Sequence, residues 1–241
     1  MGIRNLLLFA ASIVLCGCGE KRENDAVRIA LSADYPPFEY VEDGKIVGFD
    51  VDLGRAVAAA MGRSATFQDI AFSAVLATLS SGRADMALST VAITDERQKR
   101  YSFSQPYFHE ELFVLDLRSK PIDISGKFSG LRVACQLGST MELWLRQNSP
   151  NCSILSMDSN VQAVEALRAG KVDAVVVDGA QAKSFCARDG KLACQFLART
   201  DSGYAIALKK GAPLLKDADA ALKKLQRDGT VDALKKKWGL Q

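Results

Sequence analysis

Two stretches of this chain spell the same phrase. Ser81-Gly82-Arg83-Ala84-Asp85-Met86 and Ala169-Gly170-Lys171-Val172-Asp173-Ala174 each end a helical pattern on glycine, then pass a basic residue, an apolar residue and an aspartate into an apolar run. Glycine stops a helix there because it enters the left-handed region without a Cβ clash. The run that follows is short and apolar, which suits a buried strand. This doubled helix-to-strand passage sits in a chain whose apolar segments alternate with amphipathic ones from Val27 to the end. The pattern limits the fold to α/β, with mostly parallel sheets and two related lobes.

In the first half the pattern predicts a strand at 27–31, broken by Tyr35-Pro36-Pro37, then a hairpin of 38–41 and 45–48 turned at Asp43-Gly44. A helix at 49–61, a strand at 65–68, a helix at 73–81 and a strand at 85–90 follow. The second half predicts strands at 131–135, 153–155 and 174–178, with helices at 140–147 and 161–169 between them. Residues 214–238 have apolar positions at helical spacing and a break at Asp228-Gly229, the mark of surface-packed helices.

The N-terminus carries Arg4, then an apolar run over 6–15, then Cys16-Gly17-Cys18. That is the layout of a secretory signal and is too short for a permanent span. Leu15-Cys16-Gly17-Cys18 resembles the bacterial lipobox, which implies a signal peptide at 1–17, lipidation of Cys18 and a tether over 18–26 that holds the protein to a membrane, in the periplasm or at the cell surface. An ordinary cleaved signal is the plainer alternative. Removing residues 1–17 from the 241 leaves 224 and takes away one positive charge of a formal +3. So small a net charge, without a basic stripe interleaved with aromatics, excludes a nucleic-acid partner.

With Cys16 lost and Cys18 acylated, Cys135, Cys152, Cys186 and Cys194 remain. An even count in an oxidising compartment favours disulfides. Cys186 and Cys194 flank a short polar turn that can bring them together, whereas Cys135 with Cys152 is the weaker pair. His109 is the only histidine, so no Cys/His zinc site is expected, and no cofactor.

Five phrases in order, Asp34-Tyr35-Pro36-Pro37-Phe38-Glu39, Val47-Gly48-Phe49-Asp50-Val51-Asp52-Leu53, Ile93-Thr94-Asp95-Glu96-Arg97, Phe103-Ser104-Gln105-Pro106-Tyr107 and Asp228-Gly229-Thr230 through Lys237-Trp238, resemble the periplasmic polar amino-acid binding proteins, bacterial solute-binding family 3. The resemblance implies a type II periplasmic binding protein, two Rossmann-like lobes joined by a two-crossing hinge that closes on ligand like a flytrap. Lobe 1 would comprise 27–110 and 203–241, and lobe 2 would comprise 111–202, with crossings near Glu110-Glu111 and Ser202-Gly203.

Arg97 falls in the first turn of a helix capped by Thr94, where the macrodipole disfavours a cation, so its guanidinium needs an anion, for which the neighbouring Asp95 or Glu96 at the surface is the plainer candidate. The family's Arg at this place pairs bidentately with the ligand's α-carboxylate. Gln136, Ser139 and Thr140 sit where a strand ends and a helix begins, and their free backbone N–H groups would close on the same carboxylate. Gly138-Ser139-Thr140 is also an ordinary helix cap, with Glu142 early for the usual box spacing. Asp178 ends an apolar strand where ligands of open α/β sheets bind, and by resemblance takes the ammonium group, its plainer role being a helix N-cap. Tyr35 and Phe72 would wall the ligand's side chain, with core packing the plainer role of Phe72.

Ser89, Thr90 and Ala92 line the same region. Ala92 stands where the family often has a hydroxyl, for which Ser89 and Thr90 could compensate, and Ser32 stands where many relatives that recognise polar side chains have Asp. Glu39, Asp69 and Glu110 are the acidic candidates for a basic head group. The resulting expectation is a monomer that captures an amino acid, basic or polar, and delivers it to an ABC importer permease. The alternative is a dehydratase acting on a prephenate- or arogenate-like acid, for which the chain offers no second carboxylate near Asp178.

Overall fold

A computed structural model describes residues 26–240, so the signal peptide, Cys18 and the tether up to Asp25 lie outside the described residues. The first sheet contains β1 (Ala26–Leu31), β5 (Ser64–Asp69), β6 (Met86–Ala87), β7 (Tyr101–Phe103) and β13 (Ala207–Lys209), in the order β5-β1-β6-β13-β7. The second contains β8 (Phe108–Leu117), β9 (Arg132–Gln136), β10 (Ser153–Met157), β11 (Ala174–Asp178) and β12 (Leu192–Tyr204), in the order β10-β9-β11-β8-β12. Each has three parallel strands followed by two in which every pairing is antiparallel. The lobes therefore share one plan. A small sheet of β2 (Asp34–Tyr35), β3 (Glu39–Glu42) and β4 (Lys45–Val47) forms the expected hairpin region.

The repeated phrase does the same work in both lobes. In lobe 1 the Arg28 backbone N–H and guanidinium donate to Asp85 at 2.7–3.0 Å, and the Asp85 N–H donates back to the Arg28 carbonyl. In lobe 2 Arg132 donates to Asp173 in the same way, each bond 3.1 Å, and the Asp173 N–H returns to the Arg132 carbonyl. The aspartate thus latches the strand it precedes, the central strand of its sheet, onto the parallel neighbour β1 or β9. Gly82 (φ 70°) and Gly170 (φ 68°) make the left-handed turn just before it.

Helices α1 (Phe49–Ala60), α2 (Phe72–Ser80), α7 (Leu214–Arg227) and α8 (Thr230–Lys237) pack on the first sheet, and α4 (Thr140–Asn148), α5 (Asn160–Arg168) and α6 (Gly179–Arg188) on the second. The short α3 (Asp95–Arg100) lies beside β7. Gly48 at the start of α1 is obligatory, because a Cβ there would lie 2.1 Å from the Phe38 carbonyl oxygen. Lobe 1 buries Ile29, Phe38, Phe49, Leu53 and Leu222; lobe 2 buries Val164, Leu167, Val175 and Val177 in one layer and Phe128, Val133, Leu145 and Val176 in another.

The chain passes between the sheets along β8 and β12, which pair antiparallel from Leu117 with Leu192 to Phe108 with Tyr204. Register shifts interrupt the pairing between Phe196 and Ala198 and between Arg199 and Gly203. Such irregularities bend a ladder locally. Glu111 pairs with Arg199 and His109 with Gly203, so the two crossings lie side by side.

One strand is shorter than its sequence predicts. Residues 85–90 were expected to be a single buried strand, but β6 stops at Ala87. Beyond it side chains take the backbone partners, since Ser89 Oγ accepts the Ser32 N–H and Asp50 accepts the Thr90 N–H. Thr90 then turns the chain with a φ of 47°.

Hydrogen bonds from Arg132, then from Lys120, hold the Asp173 carboxyl well below the usual carboxylate range. A depressed carboxylate stabilises at neutral pH and loses that contribution only as the pH falls through its folded pKa. Asp173→Ala should cost about 1–3 kcal/mol in a chemical melt at neutral pH, because it strands the Arg132 backbone N–H as well as the guanidinium. Lys120→Ala, which removes one exposed partner, should cost less; equal costs would show that the strand latch adds nothing.

Candidate functional site

Asp178 is the last residue of β11 and the N-cap of α6, where its Oδ1 accepts the Gln181 N–H at 2.8 Å. Its Oδ2 accepts two phenol hydroxyls, Tyr35 at 2.7 Å and Tyr204 at 2.9 Å. Tyr35 comes from lobe 1 and Tyr204 from the lobe-1 end of β12, so this carboxylate joins the lobes. Asp178 is 2% exposed. Burial raises its pKa, opposed by the hydrogen bonds from Gln181, Tyr35 and Tyr204. The capping role and a position in the cleft thus coexist in one side chain.

Arg97 lies on α3, whose cap Thr94 accepts the Arg97 N–H at 3.2 Å. The guanidinium also bridges the lobes. Nη1 donates to the Ala92 carbonyl at 2.7 Å, Nη2 to the Gly138 carbonyl of lobe 2 at 3.0 Å, and the group lies 6.0 Å from the centre of the Phe72 ring. Phe72, the first residue of α2, packs against lobe-1 core residues with its other face and so serves as both core and platform. Tyr35 sets its ring 6.2 Å from Phe38.

Opposite Arg97, Gln136 ends β9, and Ser139 caps α4 by accepting the Glu142 N–H at 3.2 Å. The cap is Ser139 rather than Thr140, so Glu142 sits at the usual third position after all, although its carboxylate takes the Gly138 N–H at 2.7 Å instead of the cap's own. Ser139 Oγ donates to the Gln136 carbonyl, and Gln136 Nε2 donates to the Asp158 carbonyl at 3.3 Å. Thr140 follows as the first residue of the helix. Ser139 and Gln136 are buried at the mouth between the lobes.

Beneath this surface lies a polar layer that the sequence did not disclose. Ser89 gives its hydroxyl proton to Glu39 Oε1 at 3.0 Å, and Thr90 offers its backbone to Asp50, which also accepts the Tyr107 hydroxyl at 2.8 Å. Ser89 therefore does not replace the hydroxyl missing at Ala92. Glu39, expected to meet a basic head group, is instead wholly buried in lobe 1, and the Glu110 side chain lies outside the described residues. Of the acidic candidates Asp69 remains at the surface, where it accepts the Ala33 N–H at 2.8 Å, close to Asp34. On the lobe-2 side Asn160 donates to Gln181 at 2.8 Å, a buried amide pair behind the Asp178 cap. Glu39 at the start of β3 and Asp50 in the first turn of α1 were the available signals, but nothing local says that they turn inward.

The family of bacterial extracellular solute-binding proteins, family 3, matches residues 27–241. The chain belongs to this family. It is 32% identical over 224 residues to the L-cystine-binding protein TcyJ of Escherichia coli (strain K12), covering 90% of this chain and 84% of that one. It is 31% identical to the arginine-binding extracellular protein ArtP of Bacillus subtilis (strain 168), covering 97% and 96%. Among solved structures it superposes with a TM-score of 0.83 and 33% identity on the amino-acid ABC transporter substrate-binding protein AbpA of Streptococcus pneumoniae bound to L-arginine, covering 89% of this chain and 94% of that one. An ancestral arginine-binding protein bound to arginine gives a TM-score of 0.85 at 31% identity, covering 89% and 98%. These are binding proteins, and the dehydratase reading is set aside on that ground.

A buried carboxyl pair supports the cleft of this family member from below. Glu39 Oε2 and Asp50 Oδ1 are buried without a donor from any other described residue, and the two carboxyl groups face each other. Two ionised carboxylates do not coexist in such a place. A single proton carried by Glu39 and donated to Asp50 satisfies both. Burial, then Asp50, raises Glu39 well above the usual range, and burial pushes Asp50 up to about 6.

A raised carboxyl binds more protons folded than unfolded, so its stabilising contribution is full below the unfolded pKa and is lost as pH rises through the folded one. Acidification from about pH 7 to about pH 5 should therefore stabilise lobe 1 through this pair. Glu39→Gln keeps a donor for Asp50 but cannot titrate, and should reduce that gain, leaving the parts due to Asp50 and Asp34. Thermal melts of both proteins at the two pH values measure it, and an unchanged pH slope in the variant would exclude the shared proton.

Proposed function

We propose that this protein binds a free amino acid between its lobes and hands it to the permease of an ABC importer, acting as a monomer tethered by lipid at Cys18. The observation that carries the reading is that Arg97 and Asp178, opposite charges from different lobes, are each already hydrogen-bonded to the other lobe. A guanidinium matches an α-carboxylate bidentately, and a buried carboxylate held by two hydroxyls matches an α-ammonium. Gln136, Ser139 and Thr140 supply the helix N-terminus on the carboxylate side, while Ser89, Thr90 and Ala92 form the floor. Relatives that bind cystine and arginine support the ligand class. Ligand stabilises the closed arrangement only by binding it better than the open one.

Within that class the chemistry favours a basic amino acid. Asp34 and Asp69 stand at the carboxyl ends of the first-sheet strands, where ligands of open α/β sheets bind. Burial, and then the nearby Asp69 charge, push Asp34 up to about 6 despite the hydroxyl of Ser32. A ligand cation beside the pair offsets both effects, and Phe72 and Tyr35 give its aliphatic stem an aromatic wall.

Thermal-shift measurements on the chain beginning after Cys18, with the twenty amino acids and cystine, test the proposal, since a ligand of the native state raises its melting temperature. Arginine and lysine should give the largest shifts, and equal shifts for neutral amino acids would remove the basic preference. Arg97→Met should abolish every shift while leaving the unliganded melt within a few degrees. Cys18→Ser should move the protein from the membrane to the soluble fraction of fractionated cells.

A further inference from the structure

Four cysteines carry free thiols among the described residues, and they fall into two pairs with different surroundings. Cys186 is near the end of α6, Cys194 is the third residue of β12, and α6 packs against β12. Both side chains are half-buried against the same apolar cluster of lobe 2, and the Cys194 thiol acts directly on that of Cys186. The connecting turn is tightly built: the Leu192 N–H donates to the Asp189 carbonyl at 3.1 Å and the Asp189 N–H to the Phe185 carbonyl at 3.0 Å. Cys135 differs. It is wholly buried in a separate cluster, its thiol is engaged by Ser156, and Cys152 acts on it only through its charge.

We propose that Cys186 and Cys194 form a disulfide that ties α6, the helix capped by Asp178, to β12, the strand that carries Tyr204. Extracellular proteins fold where disulfides persist. The two elements joined are the ones that hold the Asp178 carboxylate from both sides, through the Gln181 N–H and the Tyr204 hydroxyl. The bridge fixes α6 to the lobe-2 end of β12.

The oxidant is an exchangeable disulfide, small or protein-borne, in that compartment. The Cys194 thiolate attacks one of its sulfurs and expels a thiolate, leaving a mixed disulfide. The Cys186 thiolate then attacks Cys194 Sγ and expels the second. Two protons leave the protein, two electrons pass to the oxidant, and the oxidant becomes two thiols. Burial, then the neighbouring Cys194 thiol, push Cys186 up to about 12, which makes this closure slow and the product a structural bond.

The test takes the secreted, folded chain, alkylates it under denaturing but non-reducing conditions, and digests it with trypsin. The peptides 184–188 and 192–199, each holding one of these cysteines, should appear joined and lighter by two hydrogen atoms, while Cys135 and Cys152 carry the alkyl group. Reduction should lower the melting temperature by roughly 5–10 °C, the scale expected for a short closed loop in a domain of this size. A C186S/C194S variant should melt like the reduced protein and ignore reductant. Alkylation at all four cysteines, even after incubation with oxidised glutathione, overturns the proposal. So does a cross-link to Cys135 or Cys152, or a reductant effect that survives in the double variant.

Discussion

The structure turns on one buried carboxylate. Asp178 is expensive to desolvate, and its cost is met by three donors that come from three parts of the chain: the first turn of α6, the Tyr35 loop of lobe 1, and Tyr204 at the end of the crossing strand. Each donor is held in turn by its own element. The result is that lobe-to-lobe geometry, the start of a helix and the charge of the cleft are set by the same two oxygen atoms. Moving any of the three elements exposes or strands the carboxylate.

Arg97 is the counterpart on the other side. Its guanidinium donates to two backbone carbonyls, one in each lobe, and lies over Phe72. Beneath both sits the Glu39, Asp50 and Tyr107 layer, which orders the Ser89-Thr90 turn without touching the cleft charge directly.

The two lobes keep a common plan through a small device repeated in each. A carboxylate at the entry to the central strand binds both the backbone and the side chain of an arginine on the parallel neighbouring strand, and a glycine just before it frees the chain to turn. Lobe 2 adds Lys120 to its copy. The antiparallel pair β8 and β12 then belongs to the second sheet for most of its length and to the passage between lobes at one end, so the hinge is an extension of a sheet rather than two separate linkers.

Much of this was legible in the chain itself. Glycine stops and apolar alternation located most helices and strands to within a few residues, because backbone freedom and side-chain periodicity are local properties. Arg97 and Asp178 stood out for the same reason, one a cation at a helix start and the other a carboxylate at a strand end. What stayed hidden depended on partners far away in sequence. Residues 88–90 look like strand, yet Asp50 takes the Thr90 N–H and the Ser89 hydroxyl takes that of Ser32; Glu39 looks available, yet it is turned into the core to meet Asp50. The tyrosines on Asp178 lie 143 and 26 residues from it. Sequence alone determined the α/β class, the doubled lobe and the family, since those follow from short-range pattern and ordered motifs. Only the tertiary structure decided which polar groups face the cleft and which support it, because that choice is made by burial and by hydrogen-bond partners that folding alone brings within 3 Å.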